Sequence, residues 1–107
     1  MAKKIKPVQL VKTVTTAGTR VALSSSKLLV KTLSIQGFNS NTGKIYVGDS
    51  SVSSSAYGAY ITAGNSVSME TPPSARGETE DLNLADIYID SENNGEKVAV
   101  FYLVTDS

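Results

Sequence analysis

Apolar and polar residues alternate along most of this chain, which is the pattern of β-strands that bury one face. Between residues 28 and 38, Leu33 and Ile35 share one parity and are opposed by Ser34 and Gln36. Further segments of this kind cover residues 8–14, 20–24, 44–48, 61–70, 82–90 and 97–105. The pattern predicts about eight strands and no significant helix.

Turn-forming residues separate the predicted strands. Residues 39–43 are a strong turn signal, which we expect to join residues 28–38 and 44–48 as a hairpin. We expect a second hairpin at residues 93–95, with its glycine in a left-handed conformation. Short strands at this spacing are typical of sandwiches and barrels. We therefore predict an all-β fold, a single antiparallel β-sandwich that is jelly-roll-like.

The chain has 107 residues, which is the size of one domain. Residues 1–7 carry three lysines before Pro7, and we expect them to form a basic N-terminal arm on the domain. Residues 72–81 form a long polar stretch, which we expect to be an accessory loop. The parity of the apolar residues changes within residues 82–89, which predicts a break or bulge at Ala85 and Asp86.

The residue types present exclude most catalytic chemistry. The chain has no cysteine and no histidine, so the commonest nucleophile, general base and metal ligands are missing. Glu78, Glu80 and Asp81 are better explained as a solvated loop than as paired catalytic carboxylates. Residues 90–95 resemble the start of a calcium loop, but Phe101 stands where a bidentate glutamate is required. We predict a protein that is not an enzyme, with no catalytic, cofactor-binding or metal-binding residues.

Charge and hydropathy bear on the partners. Eight basic residues, the last of them Lys44, precede the first acidic residue, Asp49, and give this first part of the chain a charge of +8. The rest of the chain has two basic and ten acidic residues and a charge of −8, so the net charge is zero. Residues 1–37 contain no aromatic side chain, which argues against nucleic acid as the partner. The longest apolar run, residues 98–104, is far shorter than the ~20 residues of a membrane helix. We expect a soluble protein made in the cytoplasm.

Residues 98–104 are apolar on both parities, whereas a strand with one solvated face should alternate. Two explanations remain open: a central strand buried on both sides, or a strand whose second face lies in a subunit interface. The second explanation predicts a homo-oligomer. The candidate interface residues are Phe101, Tyr102, Leu103, Tyr57 and Tyr60.

The order of several short motifs resembles that of a known class of viral proteins. The motifs are the strand at residues 45–49, the serine-rich loop at 50–55, the turn at 63–66, the strand at 87–90 and the turn at 93–96. This order is similar to that of the small β-sandwich cement or head-decoration proteins of tailed bacteriophages. The resemblance spans about residues 15–104.

The resemblance implies a structural virion protein that binds and reinforces a bacteriophage head shell. It implies synthesis in the host cytoplasm, a place on the capsid surface of the virion, and the major capsid protein as partner. A trimer is favoured, because the resembling proteins often sit on local three-fold axes. The candidate capsid contacts are Lys3, Lys4, Ile5 and Lys6. The alternative is a carbohydrate- or receptor-binding β-module of a phage tail or neck, which would use Tyr57 and Tyr60 with acidic loop residues.

Overall fold

A computed structural model of the chain describes residues 4–70 and 82–106. It contains two four-stranded antiparallel sheets and a two-stranded ribbon. The strands are β1 (Lys4–Val14), β2 (Val21–Ala22), β3 (Leu29–Val30), β4 (Thr32–Gly37), β5 (Ile45–Gly48), β6 (Ala59–Ile61), β7 (Ser66–Glu70), β8 (Leu82–Asn83), β9 (Tyr88–Ser91) and β10 (Glu96–Asp106). The predicted loop at residues 72–81 lies outside the described residues, as do Glu78, Glu80, Asp81 and Lys3.

The strand order is that of a jelly roll. The first sheet, sheet A, has the order β1-β10-β4-β7, and the second, sheet B, has the order β2-β9-β5-β6. Four antiparallel pairs are nested along the sequence: the outermost is β1 with β10, followed inwards by β2 with β9, β4 with β7, and β5 with β6. This nesting is what results when one long antiparallel ribbon is wrapped into a sandwich. The predicted all-β sandwich is confirmed, with short β3 and β8 paired beside it.

Two predicted hairpins are wrong. Residues 39–43 lead from β4 in sheet A to β5 in sheet B, and residues 92–95 lead from β9 in sheet B to β10 in sheet A. Both segments therefore cross between the sheets. Gly95 does adopt a left-handed conformation, with φ of +79°. Alternation along a strand identifies its buried face but carries no information about which strand lies beside it, which is why the turns were correct and the pairings were not.

The core lies between the two sheets. On β10, Val98, Val100 and Tyr102 are buried against side chains of sheet B such as Ile45 and Ile89. The expected break near Ala85 is confirmed, because a 3-10 helix at Leu84–Asp86 separates β8 from β9. The single strand expected for residues 28–38 is interrupted at Lys31 into β3 and β4.

The predicted free arm at residues 1–7 is wrong for the residues that the structure describes. Lys4, Ile5, Lys6 and Pro7 form the start of β1 and pair with residues 103–106 of β10. The long partner strand provides a backbone ladder that does not depend on side-chain alternation, so a lysine-rich segment can join it.

Buried polar side chains fasten the crossing segment at residues 39–43. The amide of Asn41 donates to the carbonyl oxygen of Lys97 at 2.8 Å and accepts from its N–H at 3.0 Å. The Glu96 carboxylate accepts hydrogen bonds from the N–H groups of Thr42 and Gly43, both at 3.0 Å. These bonds satisfy backbone groups that the crossing removes from a ladder.

Candidate interaction surfaces

The outer face of sheet A carries an uncovered apolar strip. Since Val98, Val100 and Tyr102 point into the core, the intervening residues of β10 point outwards. Phe101 is 50% exposed and Val11, on the neighbouring β1, is 57% exposed. We call this surface the outer strip, and it consists of Pro7, Val11, Ala99, Phe101 and Leu103.

Polar side chains border the outer strip. Phe101 lies opposite Ser34 of β4, which lies opposite Ser68 of β7, and these residues line a shallow depression. At the next outward position Leu103 lies opposite Thr32, which is followed by Glu70. An exposed apolar surface with a polar border is typical of a protein-binding site.

A cluster of tyrosines lies on the outer face of sheet B. Tyr46 and Tyr60 are cross-strand partners on β5 and β6, and the ring of Tyr57 packs over them. The ring centroids of Tyr46 and Tyr57 are 5.1 Å apart, and those of Tyr57 and Tyr60 are 5.9 Å apart in an edge-to-face arrangement. The Lys44 Nζ lies 5.0 Å from the Tyr60 centroid, within cation–π distance. We call Lys44, Tyr46, Tyr57 and Tyr60 the tyrosine cluster.

The tyrosine cluster leaves two rings accessible. Tyr57 is 48% exposed and Tyr60 is 49% exposed, whereas Tyr46 beneath them is buried. Half-exposed tyrosines combine a large apolar area with a hydroxyl group, and they are enriched at interfaces for that reason.

A polar depression adjoins Tyr57, and its lining includes Asp49 and Ser51. Asp49 accepts hydrogen bonds from the hydroxyl and the N–H of Ser51, at 2.5 and 2.9 Å. These bonds, the hydroxyl bond first, lower the pKa of Asp49 from its ordinary 3.8, because they stabilise the charged form. The carboxylate is therefore an ionised acceptor at neutral pH.

The structure separates the predicted interface residues. Phe101 and Leu103 belong to the outer strip, whereas Tyr57 and Tyr60 lie on the opposite side of the sandwich. Tyr102 is 6% exposed and belongs to the core, so its assignment to an interface is wrong. A strand with apolar residues at both odd and even positions has two apolar faces, but its sequence does not show which face packs against the core. Tyr102 lies on the face that packs against the core.

The predicted capsid contacts lie on an edge strand. Lys4, Ile5 and Lys6 are the first residues of β1, which is the outermost strand of sheet A. Val11 was not among the residues predicted from the sequence, although two signals for it were present. Val11 breaks the alternation of Val8 and Leu10, and Pro7 within a strand is typical of a sheet edge.

Within the part of the chain that the structure describes, no cluster of three acidic residues is placed to hold a metal ion. Nor does any helix there reach the length and hydrophobicity needed to cross a bilayer.

No protein-family model and no curated protein sequence matches the chain. Among solved structures, the fold is similar to a chain from a study of Bacillus endospore appendages that form a novel family of disulfide-linked pili. The sequence identity is 12% and the TM-score 0.48, with 100% of this chain and 93% of the other covered. This chain has no cysteine and cannot form a disulfide.

Proposed function

We propose that the protein is a structural virion protein that binds a bacteriophage head shell and reinforces it. The outer strip carries the assembly part of this proposal, because a half-exposed phenylalanine beside an exposed valine on a sheet face is a surface suited to binding another protein, here the next copy of this chain. The order of the sequence motifs, which resembles that of phage cement proteins, supports a shell as the structure to which it binds.

In this function the protein acts by occupancy and without turnover. The outer strip and the tyrosine cluster join copies of the protein, and the lysine-bearing strand β1 remains available to the shell. A ligand that binds only the intact shell stabilises it by RT ln(1 + [L]/Kd), about 2.7 kcal/mol per site at a hundredfold excess over Kd. Many equivalent sites on one shell multiply this stabilisation.

The test compares phage particles with and without the protein. Particles from a phage that lacks the gene should assemble and then release DNA at a lower temperature than complete particles. Adding the purified protein back should restore the release temperature, and Phe101→Glu should restore it less well than the control Leu29→Glu. Leu29 is a matched control because it is also exposed but lies outside the outer strip, on β3. Equal release temperatures with and without the protein would contradict the proposal.

A second function is a glycan- or receptor-binding module of a phage tail or neck. The observation that favours it is the pair of exposed rings, Tyr57 and Tyr60, beside the ionised Asp49 and Ser51. Aromatic rings provide apolar faces for a sugar, and a carboxylate accepts hydrogen bonds from its hydroxyl groups. The rings meet edge to face, so they do not form one flat platform.

Copy number and a glycan-binding screen separate the two functions. A cement protein should be present in hundreds of copies per particle, and a tail or neck module in a few. Specific retention on a glycan array that is lost in both Tyr57→Ala and Asp49→Asn, but kept in Phe101→Ala, would favour the second function.

A further inference from the structure

Strand β1 is a long edge strand of sheet A among the described residues. It comprises 11 residues, Lys4–Val14, and occupies one end of the order of sheet A. On one side it pairs along its whole length with β10. Among the described residues no strand pairs with its other side. An edge strand presents unpaired N–H and C=O groups that can bond to a further strand.

The hydrogen bonds of β10 show which groups of β1 face this edge. The N–H and C=O of Lys97 both bond to Asn41, on the side of β10 that faces β4. Backbone groups alternate between the two sides of a strand, so those of Val98 point to its partner Lys12 on β1. The residues of β1 whose backbone groups point to the free edge are Pro7, Gln9, Val11 and Thr13.

Pro7 fits this assignment independently. Proline has no N–H and is tolerated within a sheet where that group would face away from the neighbouring strand. Pro7 occupies such a position, since it has the parity of Val11. The free edge therefore presents the N–H groups of Gln9, Val11 and Thr13.

The charge of β1 indicates what can pair with it. The strand carries Lys4, Lys6 and Lys12 and no acidic residue. Neither Lys6 nor Lys12 has an ion pair with another described residue. Two copies of β1 paired antiparallel about Gln9 would place Lys6 opposite Lys12, and like charges in opposite positions destabilise a sheet. Lysines on an edge strand thus oppose self-pairing.

We propose that β1 binds an extended acidic segment of the shell protein by strand addition. This inference rests on the proposed function, since it takes the segment to belong to the shell. The N–H groups of Gln9, Val11 and Thr13 bond to the segment's main chain. Acidic side chains at alternate positions of the segment lie beside Lys6 and Lys12.

Amide hydrogen exchange tests the geometry of this edge in the full chain. In the free protein the amides of Gln9, Val11 and Thr13 should exchange quickly, and those of Leu10 and Lys12 slowly. Adding a peptide of alternating glutamate and valine should slow the three fast amides. A peptide of alternating lysine and valine should not, because its charges repel those of β1. Uniform protection along β1 before addition, or no slowing by the acidic peptide, would overturn the inference.

Matched variants separate the backbone contribution from the side-chain contribution. Val11→Pro removes an N–H group from the free edge, whereas Val11→Ala keeps this group and only shortens the side chain. We therefore expect Val11→Pro to bind the peptide at least tenfold more weakly than Val11→Ala. Lys6→Glu combined with Lys12→Glu should weaken binding similarly, while Lys27→Glu, an exposed lysine outside β1, should not. Circular dichroism and thermal melts identify any variant that fails to fold. If Val11→Pro misfolds, the lysine substitutions alone decide, and unchanged binding by them overturns the inference.

Particle rescue distinguishes this inference from the proposed function. If wild-type protein restores the DNA-release temperature and the Lys6→Glu, Lys12→Glu variant restores it equally, the proposed function holds and the strand-addition inference is wrong. If the acidic peptide binds the edge but wild-type protein leaves the release temperature unchanged, the edge is a binding site and its partner is not the head shell.

Discussion

Glu96 is a residue whose single carboxylate organises one end of the sandwich. Its side chain is 5% exposed and lies at the start of β10, just after the turn at Gly95. It accepts hydrogen bonds from the N–H groups of Thr42 and Gly43, which belong to the segment that crosses from sheet A to sheet B. Hydrogen bonds to an ionised group are about twice as strong as neutral ones. Glu96 thereby connects the crossing segment to β10.

We predict that Glu96→Ala lowers the free energy of unfolding by about 2–6 kcal/mol, because two partly buried N–H groups lose their acceptor at about 1–3 kcal/mol each. Glu96→Gln should cost less, since the amide oxygen can still accept. Glu70→Gln, an exposed glutamate on β7, is the control and should change stability by less than about 0.5 kcal/mol. Urea denaturation measures all three. An effect of Glu96→Ala no larger than that of the control would contradict this role.

At the scale of elements, β1 and β10 form the longest ladder of the fold. Their 11-residue register runs from Lys4 opposite Asp106 to Val14 opposite Glu96. β10 also pairs with β4, so it is internal to sheet A, whereas among the described strands only β10 pairs with β1. Residues 4–7 of the segment that we expected to be a basic N-terminal arm are part of this ladder.

We predict that deleting residues 2–7 lowers the melting temperature of the isolated protein, because Lys4 to Pro7 pair with the end of β10. A loss of about 1 kcal/mol lowers the melting temperature by roughly 4–8 °C in a domain of this size. The control replaces Lys4 and Lys6 by serine, which keeps the backbone ladder and should melt close to the wild type. Differential scanning calorimetry measures the difference. An unchanged melting temperature after the deletion would show that this end of the ladder adds no stability.

At the scale of the whole molecule, the two exposed apolar surfaces lie on opposite sides of the sandwich. The outer strip belongs to sheet A, and the tyrosine cluster belongs to sheet B. A contact between the outer strip of one copy and the tyrosine cluster of the next is heterologous, and heterologous contacts produce closed rings when the rotation allows it. A trimer, the state expected from the resemblance, requires three such contacts to close.

We predict that the protein is larger than an 11.3 kDa monomer in sedimentation at micromolar concentration. Phe101→Glu and Tyr60→Glu should each give monomers, because each variant loses one of two complementary surfaces. Mixing the two variants should restore a dimer, since one intact strip then meets one intact cluster. The control Leu29→Glu should sediment like the wild type.

Two other results would contradict the ring. A wild-type monomer would exclude the oligomer itself. In the second result, Tyr60→Glu assembles like the wild type, Phe101→Glu is a monomer, and the two variants do not associate with each other. This combination would indicate that two outer strips meet in a two-fold contact and that no ring forms.

The sequence determined the fold class and much of the local structure. Alternation at Leu33 and Ile35 identified a core-facing strand, and Gly95 identified a left-handed turn, because side-chain parity and backbone sterics are local properties. The two apolar parities of residues 98–104 left two explanations open, and the 50% exposure of Phe101 rules out burial of both faces within one copy.

Only the tertiary structure decided which strands pair and which surfaces remain open. The turn at residues 39–43 crosses between sheets because β4 pairs with β10 and β7, distant along the chain, and no local pattern encodes that choice. The same long-range pairing incorporated Lys4 into a ladder, placed Tyr102 in the core and left β1 at an edge. Strand pairing is selected by the joint burial of both sheets, so the core, the edge and the outer strip are properties of the assembled sandwich and not of any one segment.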